Sequence, residues 1–147
     1  MKKLLILLIV VCPLFLNGQE NSLLLMKAKA LIQSGKTDDA INLISAVSMN
    51  ATDASIYLNR AEVYIASGDY SRAIDDYYSA NKINPASGEY GLARIYALKG
   101  DAATSVYHLE QCLRSAFKKS EKDIMLDPSF SPVENKTEWR QFWKKEW

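Results

Sequence analysis

The sequence holds few of the residues from which catalytic or metal sites are built. His108 is the only histidine, and Cys12 and Cys112 are the only cysteines. His108 has no cysteine neighbour with which it could form a zinc-type site, and no glycine-rich phosphate loop is present. We therefore expect no metal and no cofactor. The formal net charge of +1 over 147 residues also gives no electrostatic reason to expect nucleic acid as a partner.

One pair of residues leaves an enzymatic alternative open. His108 and Cys112 are four positions apart, so on a helix they would share a face and could form a thiol dyad. No orienting acid or oxyanion donor can be identified beside them. The adjacent pairs Asp38-Asp39 and Asp75-Asp76 point apart on a helix and do not form an acid/base couple. The sequence therefore favours a protein that is not an enzyme.

The first 18 residues have the layout of a secretory signal peptide. Lys2 and Lys3 precede an unbroken apolar run of 13 residues, which is shorter than the roughly 20 residues of a membrane-spanning helix. Cleavage after Gly18 is expected, which predicts a periplasmic or secreted protein with no membrane contact after cleavage. The alternatives are an uncleaved N-terminal membrane anchor and lipid attachment at Cys12.

The expected mature chain depends on packing for its stability. It would contain 129 residues, a length that suits one domain able to bury a core. Its only thiol would be Cys112, so it could form no internal disulfide.

The chain contains an internal repeat. Segments aligned on Gly35, Gly68 and Gly100, which are 33 and 32 residues apart, superpose without a gap. Four further columns keep their character: Ala28, Ala61 and Ala93; Leu31, Tyr64 and Tyr96; Ala40, Ala73 and Ser105; Ile44, Tyr77 and Leu109.

Each repeat has the pattern of a helical hairpin. Apolar residues at helical spacing lead to a glycine, where a left-handed conformation ends the first helix, and a second helix follows. The small residue of the second helix marks the closest approach of the pair. The predicted pairs are 21–34 with 37–48, 54–67 with 71–83, and 87–99 with 102–115. Tyr64 and Tyr77 are predicted to lie in the core, and Tyr78 to be exposed.

These residues resemble the tetratricopeptide repeat family. Residues 54–87 match its pattern most closely, at the positions Tyr57, Ala61, Tyr64, Gly68, Asp69, Tyr70, Ala73, Tyr77, Ala80 and Pro85. The resemblance implies an all-α, right-handed α-solenoid. Its expected organisation is a signal peptide at 1–18, repeats within 19–116 at about 21–52, 54–87 and 88–116, and a capping tail at 117–147.

The resemblance also implies a concave groove lined by the first helix of each pair. The residues projected into it, our predicted partner-binding groove, are Leu25, Lys29, Leu58, Glu62, Tyr90 and Arg94. Such a groove would hold a protein or peptide partner through apolar contacts beside a strip of alternating charge.

One branch of the family clamps the C-terminal carboxylate of cytosolic chaperones, and this chain departs from it. Asn59 matches one clamp position, and Arg94 replaces a lysine. Leu25, Lys29 and Leu98 stand where that clamp has lysine, asparagine and arginine, so this branch is rejected.

The tail after Ala116 does not follow the repeat. It is predicted to hold a short helix at Lys118–Met125 and a final helix capped by Ser131, with Pro132 in its first turn. The aromatic stripe Trp139, Phe142 and Trp143 is expected to cap the last repeat, as solenoids require. The alternatives are that this stripe is a partner-binding patch, or that the chain continues in a longer protein.

The sequence thus favours a non-catalytic scaffold, exported to the cell envelope, that binds a peptide or partner helix in its groove. One alternative is an N-terminal structural module of a larger envelope protein. The other is a small thiol-dependent enzyme that uses His108 and Cys112.

Overall fold

The computed structural model describes residues 13–45, 47, 53–145 and 147, and side chains are described from residue 20 onward within those ranges. Residues 1–12, which carry most of the predicted signal peptide, lie outside the described part. The predicted cleavage point at Gly18 falls within the first described helix.

The described residues fold into α-helices and one 3-10 helix, and none of them forms a strand. The α-helices are α1 (Pro13–Gln33), α2 (Thr37–Ser45), α3 (Ala54–Ala66), α4 (Tyr70–Ile83), α5 (Glu89–Leu98), α6 (Ala102–Leu113), α7 (Glu121–Met125) and α8 (Thr137–Phe142), and the 3-10 helix is Pro128–Val133. The three densest packings are α1 with α2, α3 with α4 and α5 with α6. The all-α solenoid of helical hairpins is therefore confirmed.

The glycine column ends the first helix of each hairpin as predicted. Gly35, Gly68 and Gly100 have φ values of 77°, 79° and 75°, a left-handed conformation that costs other residues about 1–2 kcal/mol. In the second and third hairpins an aspartate then caps the next helix. Asp69 accepts from the Arg72 amide and Asp101 from the Thr104 amide. Each turn is thus specified by its own few residues.

The small residues of the two repeat columns lie where helices contact each other, and no space is left there for a larger side chain. Ala28, Ala61, Ala93, Ala40, Ala73 and Ser105 are all fully buried. Ser105, in the third hairpin, also forms a hydrogen bond at this contact, since its hydroxyl donates to the Ala93 carbonyl at 2.9 Å. Tyr64 and Tyr77 are buried and Tyr78 is 43% exposed, as predicted.

The hydrophobic core has two parts. The first part extends from α1 through α5 and includes Ile44, Tyr64, Tyr77 and Leu92. The second joins the third hairpin to the tail, where Ala93, Ala97 and Leu109 pack with Ile124, Phe130, Val133, Trp139 and Phe142. The 3-10 helix packs on α5 and α8 on α6, so the tail covers the end of the solenoid.

Two predicted starts in the tail are wrong. The helix expected from Lys118 begins at Glu121, because Ser120 caps it by accepting from the Asp123 amide. The final helix begins at Thr137 rather than after Ser131. Asp127 accepts from the Ser129 amide and opens the 3-10 helix at Pro128, so Pro132 lies inside that element.

Candidate functional site: the face of α1, α3 and α5

Helices α1, α3 and α5 are the first helices of the three hairpins. We call the side of these helices on which the predicted groove residues lie the groove face. It carries the predicted residues Leu25 and Lys29 on α1, Leu58 and Glu62 on α3, and Tyr90 and Arg94 on α5. Helix α3 packs on both α1 and α5. The three helices are therefore neighbours, and the six side chains lie in three different environments.

The α1–α3 part of the groove face contains both buried and accessible groups. Leu25 is only 4% exposed and packs in the first core, so it offers little surface to a ligand. Leu58 is half-buried. Lys29 is exposed, and its ammonium donates to Asn59 Oδ1 at 3.0 Å, which links α1 to α3. No ion pair of Lys29 occurs among the described residues, so its charge remains accessible to an acidic group.

A charged network crosses from α3 to α5. Arg94 Nη1 binds both carboxylate oxygens of Glu62, at 2.8 and 2.9 Å. The Tyr77 hydroxyl of α4 donates to the same carboxylate at 2.5 Å. Burial raises the pKa of Tyr77, and the Glu62 charge raises it further. Tyr77 therefore stays a neutral donor, and Glu62 is held between two helices.

The tail covers the α5 part of the groove face. Asp127 Oδ2 accepts from the Tyr90 hydroxyl at 2.8 Å and lies 3.2 Å from Arg94 Nε. The Tyr90 ring packs on Phe130, with centroids 5.9 Å apart. Ser129 is a further neighbour, since Arg94 Nε donates to its hydroxyl at 3.3 Å. The chain itself thus supplies an acidic partner for Arg94, which was predicted to lie in the partner-binding groove.

The contacts of Asp127 with Tyr90 and Arg94 were not predicted from the sequence. The residues are separated by more than 30 positions, and no local pattern indicates such a pairing.

The alternative aromatic patch is mostly inside the protein. Trp139 is 6% and Phe142 1% exposed, whereas Trp143 is partly exposed. Trp139 stacks on Phe130 at 5.1 Å, and Phe142 contacts both Trp139 and Trp143. These rings fill the second core, which leaves the edge of Trp143 as the part that a partner could reach.

Glu89 is an acidic neighbour of His108 that the sequence did not reveal, but the thiol of Cys112 is directed away from the imidazole and is buried. His108 Nδ1 lies 2.7 Å from Glu89 Oε2, and the imidazole stacks on Tyr96. Cys112 is fully buried and directs its thiol to the Phe117 carbonyl at 3.5 Å. Burial raises the pKa of Cys112, which disfavours the thiolate that a nucleophile needs.

Two further observations on the described part of the chain concern metals and membranes. Within it, no group of three or more His, Cys, Asp or Glu side chains could hold a metal ion. No helix there is long and apolar enough to span a membrane.

The central hairpin matches a known repeat family. The tetratricopeptide repeat model matches residues 54–87, which correspond to α3, α4 and the turn after them. The chain contains a tetratricopeptide repeat at residues 54–87, as predicted from the sequence. Such repeats indicate a protein–protein interaction module, and they point to a non-catalytic role.

A curated relative is similar to about two thirds of the chain. It is the tetratricopeptide repeat and J domain-containing co-chaperone DNJ1 of Cryptococcus neoformans var. grubii, 26% identical over 104 residues. The match covers 69% of this chain and 20% of the relative, so the chain spans about a fifth of that protein's length. No solved structure matches the chain significantly.

Proposed function

We propose that the protein is an exported, non-catalytic scaffold that holds a peptide segment or a partner helix against α1 and α3. The observation that carries this proposal is the accessible Lys29–Asn59 pair beside half-buried Leu58. It offers a charge, an amide and an apolar side chain on neighbouring helices. The α5 part is covered by Asp127 and Phe130, so a ligand would meet the first two hairpins.

The ligand proposed from these groups is an apolar segment with an acidic side chain. Apolar contact with Leu58 would supply most of the affinity, because an exposed charge pair contributes at most about 1 kcal/mol. The acidic group would approach Lys29 and would set orientation rather than strength. The similarity to a co-chaperone adds chaperones and their client polypeptides to the partner classes worth testing.

Peptide selection from a displayed random library on the folded protein provides the ligands for the test. Affinities are then measured for Leu58→Ala, Lys29→Ala and the matched control Lys36→Ala, an exposed lysine outside the groove face. We expect Leu58→Ala to weaken binding about tenfold and Lys29→Ala a few-fold, with the lysine effect lost at high salt. Lys36→Ala should bind like the wild type.

Two results would move the function elsewhere. Loss of binding in Trp143→Ala alone, with unchanged thermal unfolding, would place the site on the tail. Failure to select any ligand with folded protein would favour the structural module of a larger envelope protein. Tyr90 is a poor probe, since Tyr90→Ala also removes the Asp127 contact.

Export is proposed from the sequence pattern of residues 1–18. Expression of the complete gene in a bacterium, followed by fractionation and mass measurement, tests it. A periplasmic protein lacking about 18 residues supports cleavage, an intact membrane-bound chain supports the uncleaved anchor, and an intact cytosolic chain refutes export.

A further inference from the structure

Residues 117–126, here called the basic segment, combine exposed apolar and exposed basic side chains. Phe117, Met125 and Leu126 are 43%, 63% and 70% exposed. Lys118, Lys119 and Lys122 are exposed as well. None of these three lysines forms an ion pair within the described part of the chain. Lys119 contacts an aromatic ring, so the charges of Lys118 and Lys122 are the ones available to a partner.

The basic segment is held in a defined orientation. Ile124 is fully buried in the second core and anchors α7. Lys122 and Leu126 are one turn apart on the side of α7 opposite to Ile124. Lys119 lies over the Tyr90 ring, with its ammonium 5.4 Å from the centroid. Because Ile124 is anchored in the second core, Lys122 and Leu126 both project away from that core.

The charge of the chain is divided between its two parts. Residues 114–147 contain eight basic and six acidic side chains, whereas residues 19–113 contain eight basic and eleven acidic ones. Within the basic segment, Glu121 and Asp123 oppose the three lysines, and Asp123 accepts from the Ser120 hydroxyl. The tail is therefore the positive end of a chain whose body is negative.

We propose that the basic segment attaches the protein to an anionic lipid surface. Apolar side chains that project beside lysines suit the boundary between headgroups and acyl chains, where Met125 and Leu126 would lose contact with water and Lys118 and Lys122 would meet lipid phosphates. The sequence alone predicted no membrane contact for the mature chain, because it could not show that Met125 and Leu126 are uncovered.

Vesicle co-sedimentation of the full chain tests the proposal. The readout is the ratio of binding to mixed phosphatidylcholine–phosphatidylglycerol vesicles over binding to pure phosphatidylcholine vesicles. Any attachment through the apolar N-terminal run would contribute to binding to both kinds of vesicle, so it would not raise this ratio. Since each basic charge near an anionic surface contributes about fivefold in affinity, Lys118→Glu/Lys122→Glu should lower the ratio at least about tenfold. Met125→Ser/Leu126→Ser should lower binding to mixed vesicles at least about fivefold.

Matched variants locate the effect. Lys36→Glu/Lys82→Glu makes the same charge change at exposed lysines outside the segment, and Leu23→Ser/Met26→Ser removes two exposed apolar side chains of α1. Both should bind mixed vesicles like the wild type. Hydrogen exchange should show protection of residues 117–126 only when anionic lipid is present.

Three results would overturn the proposal. The first is a wild-type ratio near one together with no anionic-lipid-dependent protection of residues 117–126. The second is an equal loss of binding in the matched variants, which would indicate a general charge effect. The third is protection of the segment by soluble poly-glutamate but not by mixed vesicles, which would assign it to an acidic protein partner.

Discussion

Replacement of Gly91 by alanine tests the packing between the second and third hairpins. A Cβ at this position would lie 2.0 Å from Cζ of the Tyr77 ring and 2.3 and 2.5 Å from two other ring atoms. Tyr77 is only 2% exposed, and its hydroxyl is bonded to Glu62. The ring therefore cannot move aside without giving up that hydrogen bond.

The expected cost follows from three terms. Overpacking of a filled core costs about 1–3 kcal/mol, and loss of a hydrogen bond to a charged group costs about 1.5–3 kcal/mol. Alanine returns about 1 kcal/mol through its higher helix propensity. The sum is a loss of about 1.5–5 kcal/mol in the free energy of unfolding, which corresponds to a fall in Tm of roughly 5 °C or more.

A double-mutant cycle separates the clash from other effects. Thermal and urea unfolding are measured for Gly91→Ala, Tyr77→Leu and the combination. Because leucine removes the ring that the new methyl group meets, the combined loss should be smaller than the sum of the single losses by at least about 1 kcal/mol. A Tm of Gly91→Ala equal to or above that of the wild type would refute the proposed contact between α5 and Tyr77.

Two further predictions concern charged groups. Arg60→Ala should lower the free energy of unfolding by about 3–5 kcal/mol in urea, because it leaves the buried Asp76 carboxylate without the guanidinium that binds it at 2.5 and 2.7 Å; a loss below about 1 kcal/mol, as for surface pairs, would contradict this. Burial acts to raise the pKa of Asp127, but hydrogen bonds from Ser129 and Tyr90 and the Arg94 charge outweigh it, so that the pKa is lowered. The contribution of Asp127 to tail docking is therefore complete above its unfolded pKa of about 3.9 and is lost as the pH falls through the lower folded value. All three tryptophans lie in the tail, so their fluorescence should report this acid transition, and an identical transition in Asp127→Asn would exclude Asp127 as its cause.

The helical hairpins could be predicted from the sequence because their signals are local. Each turn is marked by a glycine that takes positive φ, and each helix face by apolar residues three and four positions apart. The small columns also identified the closest helix contacts, and Ala61 and Ala73 are fully buried as expected. Residues within about 30 positions of each other contain enough information to define such a unit.

The candidate site was predicted less completely. The register correctly assigned Lys29, Glu62 and Arg94 to neighbouring first helices, as the Lys29–Asn59 and Arg94–Glu62 contacts show. It did not reveal that Leu25 would be buried, since burial depends on which helices cover a position. Ligand contact by the groove face and by the tail stays a prediction.

Tertiary structure alone decided how the tail uses its residues. Asp127 meets Tyr90 across 37 positions of the chain, and its cap on Ser129 starts a 3-10 helix where the sequence predicted an α-helical start. Ile124 turns inward while Leu126, two residues later, is left 70% exposed. The sequence by itself determined the repeating hairpins, because each is specified by neighbouring residues. Only the folded chain determined the covered α5 face and the uncovered basic segment, because both depend on contacts between distant parts of the chain.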